Sequence, residues 1–167
     1  MIDTIRLLLF PALMAFAASS DLFTMTISNK VSLALAGSFV ILALAIGMSP
    51  RDIGIHAGAA ATVLVVAFVF FTQGWIGGGD AKLAAAASLW FGFDHLLQFL
   101  VDAALLGGVL TLLMINFRLF PLPVVMQRWA WIERLHQKDA GVPYGIALAA
   151  AALLVYPDTV WMKAVGG

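Results

Sequence analysis

Apolar residues fall in six long runs set apart by short polar interruptions. A bilayer hydrocarbon core of about 30 Å takes about 20 apolar residues in α-helix, with roughly 17 as the lower limit. The runs cover residues 5–18 (extendable to Asp21), 31–47, 55–71, 83–93, 96–117 and 142–156 (extendable to Val160). The fourth is short and lengthens only by drawing in the glycines before Asp80. Each run is continuously apolar and rich in Ala and Leu, without the period-two alternation of a barrel strand, so each predicts a helix. Ser49-Pro50 with Arg51 and Asp52 divides the second run from the third, Gly74 through Gly79 the third from the fourth, and Asp94-His95 the fourth from the fifth. Pro121 and Pro123 close the fifth. Residues 118–141 form the sizeable polar stretch. Within it, residues 124–138 have helical periodicity: Val124, Val125, Trp129, Trp131, Ile132 and Leu135 gather on one half, and Gln127, Glu133, Arg134, Gln137 and Lys138 on the other. Arg128 intrudes on the apolar half. Two tryptophans with flanking arginines predict a helix lying in the membrane interface.

Composition turns this pattern into a class. Hydrophobic residues make up 63% of the 167 and charged residues 11%, which leaves too little polar surface to coat a water-exposed globule. The mean hydropathy is +1.02. A monomeric soluble enzyme is excluded, and the expected fold is an all-α polytopic membrane protein: one domain over residues 1–167, with about six helices around a cytoplasm-facing cleft. Nine basic residues balance nine acidic ones and form no basic run, so nucleic acid is not an expected partner. Cysteine is absent, which excludes disulfides, thiol catalysis and cysteine-ligated zinc.

Alternate crossings place Lys30, Lys82, Arg118, Arg128, Arg134 and Lys138 on one side, and Arg6, Arg51 and Lys163 on the other. The positive-inside rule makes the first side cytoplasmic and puts both termini outside. Ala15-Phe16-Ala17 resembles a small-x-small cleavage site after an apolar run. The leading segment, however, holds both Asp3 and Arg6 and is not clearly basic, so a retained first span is expected.

Ionisable residues at the bilayer are functional candidates by default. Asp21, Asp52, Asp80, Asp94 and Asp158 sit at or near run ends, and Asp102 lies inside the fifth run. Two crossings separate Asp21 from Asp80, and an even number returns the chain to the same face. Both carboxylates therefore belong to the cytoplasmic boundary. Asp80 also follows Gly77-Gly78-Gly79, where glycine permits unusual backbone conformations and close approach by another chain segment. Two carboxylates held within a few ångströms cannot both ionise easily and share a proton. The ionised member then acts as general base on water while the protonated member polarises a scissile carbonyl; titration belongs to the pair. This is the chemistry of aspartic proteolysis, and it needs no metal or cofactor. His56, His95 and His136 are scattered, without convincing ligand spacing. The bland alternative makes Asp21 and Asp80 span-end caps and Lys82 a snorkelling cation.

The same residues carry a resemblance. Gly77-Gly78-Gly79-Asp80 is similar to the GxGD signature of intramembrane aspartic proteases, and its extension through Ala81-Lys82 to the GxGDxK form of type IV prepilin peptidases. Asp21 followed by Ile27-Ser28-Asn29 resembles the family's first catalytic aspartate and its Ile-Pro-Asn element. Val142-Pro143-Tyr144-Gly145 and the residues to Ala149 resemble its late proline–aromatic–glycine motif. The three elements stand in the family's order, and the length is most similar to the short TadV/CpaA-like branch that serves Flp (tight-adherence) pili. The resemblance implies Asp21 and Asp80 as catalytic acids. It implies a prepilin substrate with a short basic leader and an apolar helix, cleaved at the cytoplasmic face of a bacterial inner membrane. Ser28 replaces the usual proline, which bears on loop rigidity and removes no chemical group. Larger relatives carry a cysteine-bearing insert and N-methylate the new terminus; residues 27–31 leave no room for one, so proteolysis without methylation is expected.

Supporting roles are weighed residue by residue. Lys82 either tunes a neighbouring carboxylate, holds substrate backbone, or is structural. Gly77 and Gly79 either lend Asp80 mobility toward Asp21 or form a plain turn. Asn29 either bonds the active-site loop or is an ordinary turn residue. Asp102 reads as a buried polar group paired across helices, and Gly107-Gly108 as close helix packing. The interfacial segment is either an anchor or a guide for the leader. Other functions remain open: a different GxGD peptidase such as a preflagellin peptidase, a proton-coupled transporter or assembly subunit using Asp21, Asp80 and Asp102, or an inactive scaffold.

Overall fold

The computed structural model describes residues 2–163, and within them the ordered elements are helical. They are α1 (Ile2–Thr24), α2 (Asn29–Ala45), α3 (Pro50–Thr72), α4 (Gly78–Leu119), α5 (Ala130–His136), α6 (Tyr144–Val155) and α7 (Val160–Lys163), with single 3-10 turns at Met126–Arg128 and Tyr156–Asp158. Local chemistry sets the starts. Ser28 caps α2 by accepting the Lys30 amide at 3.3 Å. Ser49 caps α3, accepting the Asp52 amide at 3.1 Å and donating to its carboxylate at 2.7 Å, with Pro50 at the first helical position.

Three segments, Thr4–Thr24, Pro50–Thr72 and Gly78–Leu119, are long and apolar enough to cross a membrane; Asn29–Ala45 and Tyr144–Asp158 are shorter apolar helices. The 42 residues of α4 contain a break at Gly92, where φ is 58° and ψ is −167°, a combination essentially restricted to glycine. Asp80 and Thr111 line one cavity, although 31 residues of straight helix would hold them about 46 Å apart. The helix therefore folds back on itself into a first arm (residues 78–91) and a second arm (residues 93–119). The division expected at Asp94-His95 falls instead at Gly92; Asp94 and His95 continue the second arm, because side-chain polarity marks a reversal less sharply than the backbone angle it requires.

A break inside an apolar medium leaves the last carbonyls of the first arm without intrahelical partners. Two of them are met by side chains from elsewhere. His56 Nδ1 donates to the Leu89 carbonyl at 2.6 Å, which fixes the His56 tautomer, and Trp161 Nε1 donates to the Trp90 carbonyl at 2.7 Å. Trp90 Nε1 reaches the Leu35 carbonyl of α2 at 3.1 Å, and the Tyr156 hydroxyl donates to the Arg6 carbonyl of α1 at 2.6 Å. Around these bonds Phe10, Phe39, Trp90, Tyr156 and Trp161 form one aromatic cluster, with Phe10 stacked on Tyr156 at 4.6 Å and Trp90 against Trp161 at 5.0 Å.

The first arm and α6 occupy the centre. Ala81, Leu83 through Ser88, and Trp90 through Gly92 are buried on the arm, as are Ala147, Leu148, Ala149, Ala151, Ala152 and Val155 on α6. Segments apolar all round belong inside, and their alanines let backbones approach closely. The outer helices turn Ile41, Val65, Phe68, Leu97, Leu105 and Leu112 outward.

The polar stretch departs from the expected single helix over residues 124–138. Pro123 accepts the amides of Met126 and Gln127, closing a tight turn, and Trp129 is extended (φ −104°, ψ 102°) before α5 begins. What holds α5 is arginine chemistry: Arg118 donates to the Leu135 and Gly141 carbonyls at 2.8 and 2.7 Å, and Arg134 to the Phe23 carbonyl at 3.0 Å. Trp131 meets Phe23 edge-on at 5.2 Å. The short piece is thereby clamped over the end of α1.

A Cβ at Gly92 would meet the His56 ring at 3.1 Å in a conformation closed to side chains, whereas one at Gly108 would meet nothing within 4 Å. Gly92→Ala is expected to destabilise the fold by about 1–3 kcal/mol, seen as a lowered midpoint of thermal unfolding in detergent, while Gly108→Ala leaves the midpoint near that of the parent.

Candidate active site

Four segments that are distant in sequence meet at the end of the molecule opposite Gly92. They are the end of α1, the α3–α4 connection, the second arm of α4 near Thr111, and the start of α6. A cavity of about 770 Å³ between them is lined by Asp21, Met25, Gly77, Asp80, Thr111 and Tyr144 among others. The second arm runs eight residues past Thr111 to Leu119, so the cavity reaches about 12 Å below the end of that arm.

Each carboxylate is fixed by one glycine amide. The Gly145 N–H donates to Asp21 Oδ2 at 2.8 Å. Gly145 is the second residue of α6, so Asp21 caps that helix, and its side chain is buried. Asp80 accepts the Gly77 amide. Gly77 is the N-cap of α4, which makes Asp80 the third helical residue, the position from which an acid reaches back to the cap. Both acids thus sit at the electropositive start of a buried helix, and they lie close enough for their charges to interact.

The glycines serve proximity. A Cβ at Gly145 would lie 2.9 Å from Asp21 Oδ2 and from Ile27 Cδ1; at Gly77 it would lie 3.0 Å from Asp80 Oδ2; at Gly79 it would lie 3.2 Å from Ile27 Cβ. Gly77 has φ −71° and ψ 145°, while Gly78 and Gly79 belong to the first turn of α4. Gly78 and Gly79 are thus the first turn of a helix whose neighbours leave little room for side chains, the close approach that glycine permits. On the other side of the cavity, Met25 adopts φ 54°, uncommon for a residue with a Cβ. There its N–H bonds the Asp21 carbonyl at 2.8 Å and ends α1.

Lys82 and Asn29 are brought together away from the aspartates. Lys82 Nζ donates to Asn29 Oδ1 at 2.9 Å, and both line a separate cavity of about 560 Å³ between α2, α3 and the first arm. Helical residues two apart do not face each other, so Lys82 points away from Asp80 and ties α4 to the start of α2. Ser28 restrains the same loop by capping α2. Asp102, expected to pair across helices, is half-buried on the second arm, lines neither cavity, and has no such partner among the described residues. Gly145 and Tyr144 were legible only as part of a motif. Their contacts with Asp21 and the second arm bridge 124 and 41 positions, respectively, and no local pattern encodes them. Among the described residues no three His, Asp or Glu side chains converge as a metal site would require.

The family model described as the type IV leader peptidase family matches residues 8–112, more than half of the chain. That range holds both aspartates, the glycine run, Asn29 and Lys82. Comparisons with curated proteins and with solved structures gave no match.

The Lys82–Asn29 bond predicts coupled stability effects. In a double-mutant cycle of Lys82→Met and Asn29→Ala, followed by thermal unfolding, the two changes are expected to be non-additive by about 0.5–1.5 kcal/mol. Additive losses would show that the bond contributes nothing.

Proposed function

Because the chain belongs to the type IV leader peptidase family, we propose that it is a membrane aspartic endopeptidase. Its substrate in this reading is the N-terminal leader of a type IV or Flp-type prepilin, cut at the cytoplasmic face of the bacterial inner membrane. The observation that carries the reading is the placement of Asp21 and Asp80, from two separate helices, on one recessed cavity with each carboxylate oriented by a backbone amide.

The chemistry follows from that arrangement. A water between the carboxylates gives its proton to the ionised one as its oxygen attacks the scissile carbonyl carbon, while the protonated one donates to the carbonyl oxygen. Collapse of the tetrahedral intermediate reverses the roles: the proton gained from water passes to the leaving amine, and the other carboxyl recovers its own. The Gly145 and Gly77 amides hold one oxygen of each acid and leave the remaining oxygens for water and substrate, so little reorganisation accompanies the reaction. The cytoplasmic assignment is supported by the excess of Lys and Arg on the loops at this end, in a topology of six crossings that counts the two arms of α4 separately. Proteolysis without N-methylation is supported by the direct joining of α1 to α2 through residues 25–28 and by the lack of cysteine.

Prepilin cleavage in membranes, followed by gel mobility, tests this. Asp21→Asn and Asp80→Asn keep size and an acceptor oxygen but cannot transfer the proton, and each is expected to lower the rate by about 10³-fold or more. Asp102→Asn is expected to cleave at near the parent rate, whereas dependence on Asp102 without processing would favour a proton-coupled transporter. Survival of cleavage in both active-site variants would sink the protease reading. Gly145→Ala pushes a methyl against Asp21 and is expected to lower the rate by about 10²-fold while the protein still folds, as checked by its unfolding midpoint.

A further inference from the structure

Two cavities of unequal polarity meet at Asp80. One is the aspartate recess, which also holds Asp21 and Thr111 and has Met25, Trp75, Ile76 and Val142 in its walls. The other, of about 380 Å³, lies between α3, both arms of α4 and α6, and its walls are almost wholly apolar: Val63, Val66 and Phe70 from α3, Leu100 and Ala104 from the second arm, Leu148 from α6. Asp80, Ile76 and Tyr144 line both. Ile76 belongs to the connection before α4 and Asp80 to the first turn of α4, and Tyr144, at the first position of α6, supplies the aromatic ring on the boundary.

The place of that ring is set from the opposite helix. A Cβ at Gly107 would overlap Cζ and the hydroxyl oxygen of Tyr144, so the ring occupies the space that glycine leaves. At the adjacent Gly108 a Cβ would meet nothing within 4 Å. The two glycines of one pair therefore differ: Gly107 is a socket, and Gly108 is not. One turn earlier the Ala103 carbonyl accepts the Tyr144 hydroxyl at 3.3 Å, a long bond beside an intimate ring contact. Shape rather than the hydroxyl fixes the side chain.

We infer that Tyr144, seated in the Gly107 socket, is a substrate-positioning residue that selects a chain whose polarity changes at the cleaved bond. Its ring is the sill between the two cavities. The polar leader lies in the aspartate recess, the first apolar residues after the bond lie in the groove against α3, and the backbone between them crosses the ring to reach Asp80. Gly107 acts through Tyr144 by holding the ring at that height. The inference rests on the leader-peptidase reading and adds to it the surface that recognises the apolar side of the bond.

Steady-state cleavage of a full-length prepilin by the whole protein in proteoliposomes tests it, with Tyr144→Phe, Tyr144→Ala, Gly107→Ala, the Gly107→Ala/Tyr144→Ala pair and Gly108→Ala compared. Tyr144→Ala and Gly107→Ala are each expected to raise KM about tenfold with kcat within about threefold, the signature of lost substrate binding rather than lost chemistry. Gly108→Ala is expected to match the parent, and Tyr144→Phe, which keeps the ring, is expected to raise KM less than Tyr144→Ala does. The double variant is expected to be no worse than Tyr144→Ala alone, because the methyl at residue 107 then has no ring to displace. Multiplying penalties would instead show that Gly107 serves helix packing. A fall in kcat at unchanged KM, or a Tyr144→Ala protein that behaves as the parent, would overturn the inference. If Gly107→Ala alone fails to fold, Tyr144→Ala and the double variant still decide. A parent protein that cleaves nothing would mark failure of the protease reading itself, a result separate from any difference among the variants.

Discussion

In an apolar medium every interrupted helix must find partners for the backbone groups it exposes, and that requirement organises both ends of this protein. At one end the chain reverses at Gly92, and the stranded carbonyls of Leu89 and Trp90 are taken by His56 and Trp161. Those two donors come from α3 and α7, so satisfying the reversal also draws the outer helices onto the centre. At the other end two buried helices begin, and their first amides are met by Asp80 and Asp21. The acids that carry the proposed chemistry are thus also caps, and the bland and functional readings of Asp21 and Asp80 describe one arrangement. Asn substitution separates the two roles, since an amide oxygen still accepts the backbone bond but the group no longer exchanges a proton.

Much of this was legible along the chain. The apolar runs mark the helices, and the parity of crossings places Asp21 and Asp80 on one face; they line one cavity. The misplacements share a cause. Asp94-His95 looked like a divider because polar side chains are conspicuous, yet the reversal needs φ of 58°, a demand only Gly92 meets. The periodicity of residues 124–138 is real as a pattern of sides, but Pro123 closes a turn and Trp129 extends the chain, while Arg118 and Arg134 fix α5 through carbonyls far away in sequence. Of the two properties that glycine offers in the run before Asp80, the neighbouring Ile27 and Asp80 carboxylate make use of close approach. Lys82 follows the same rule: two residues from Asp80 along the chain, it faces another side of the helix and another cavity.

Length explains why the aspartates are recessed. The first arm of α4 and α6 hold 14 and 12 helical residues, about 21 and 18 Å, against a hydrocarbon core of about 30 Å. Both are anchored at the aromatic end, the arm by Trp90 and α6 through Tyr156 and the turn that follows it. Their starts therefore stop short of the level reached by the second arm. Alanine allows this, because short helices compensate for lost length by packing closely with small side chains. The outcome is a pit with both carboxylates at two helix starts, walled by longer helices whose outer faces are apolar.

A pit of that form constrains what can use it. Toward α3 and the second arm Asp80 borders apolar walls, and the recess on its other side is bordered by Gly141, whose carbonyl Arg118 holds. The two cavities share Ile76, Asp80 and Tyr144. A chain that is polar on one side of a bond and apolar on the other matches such a pair, in which one cavity carries both carboxylates and the other has almost wholly apolar walls. The position of one ring, set by the absence of a side chain at Gly107, therefore links helix packing to the boundary between the two cavities.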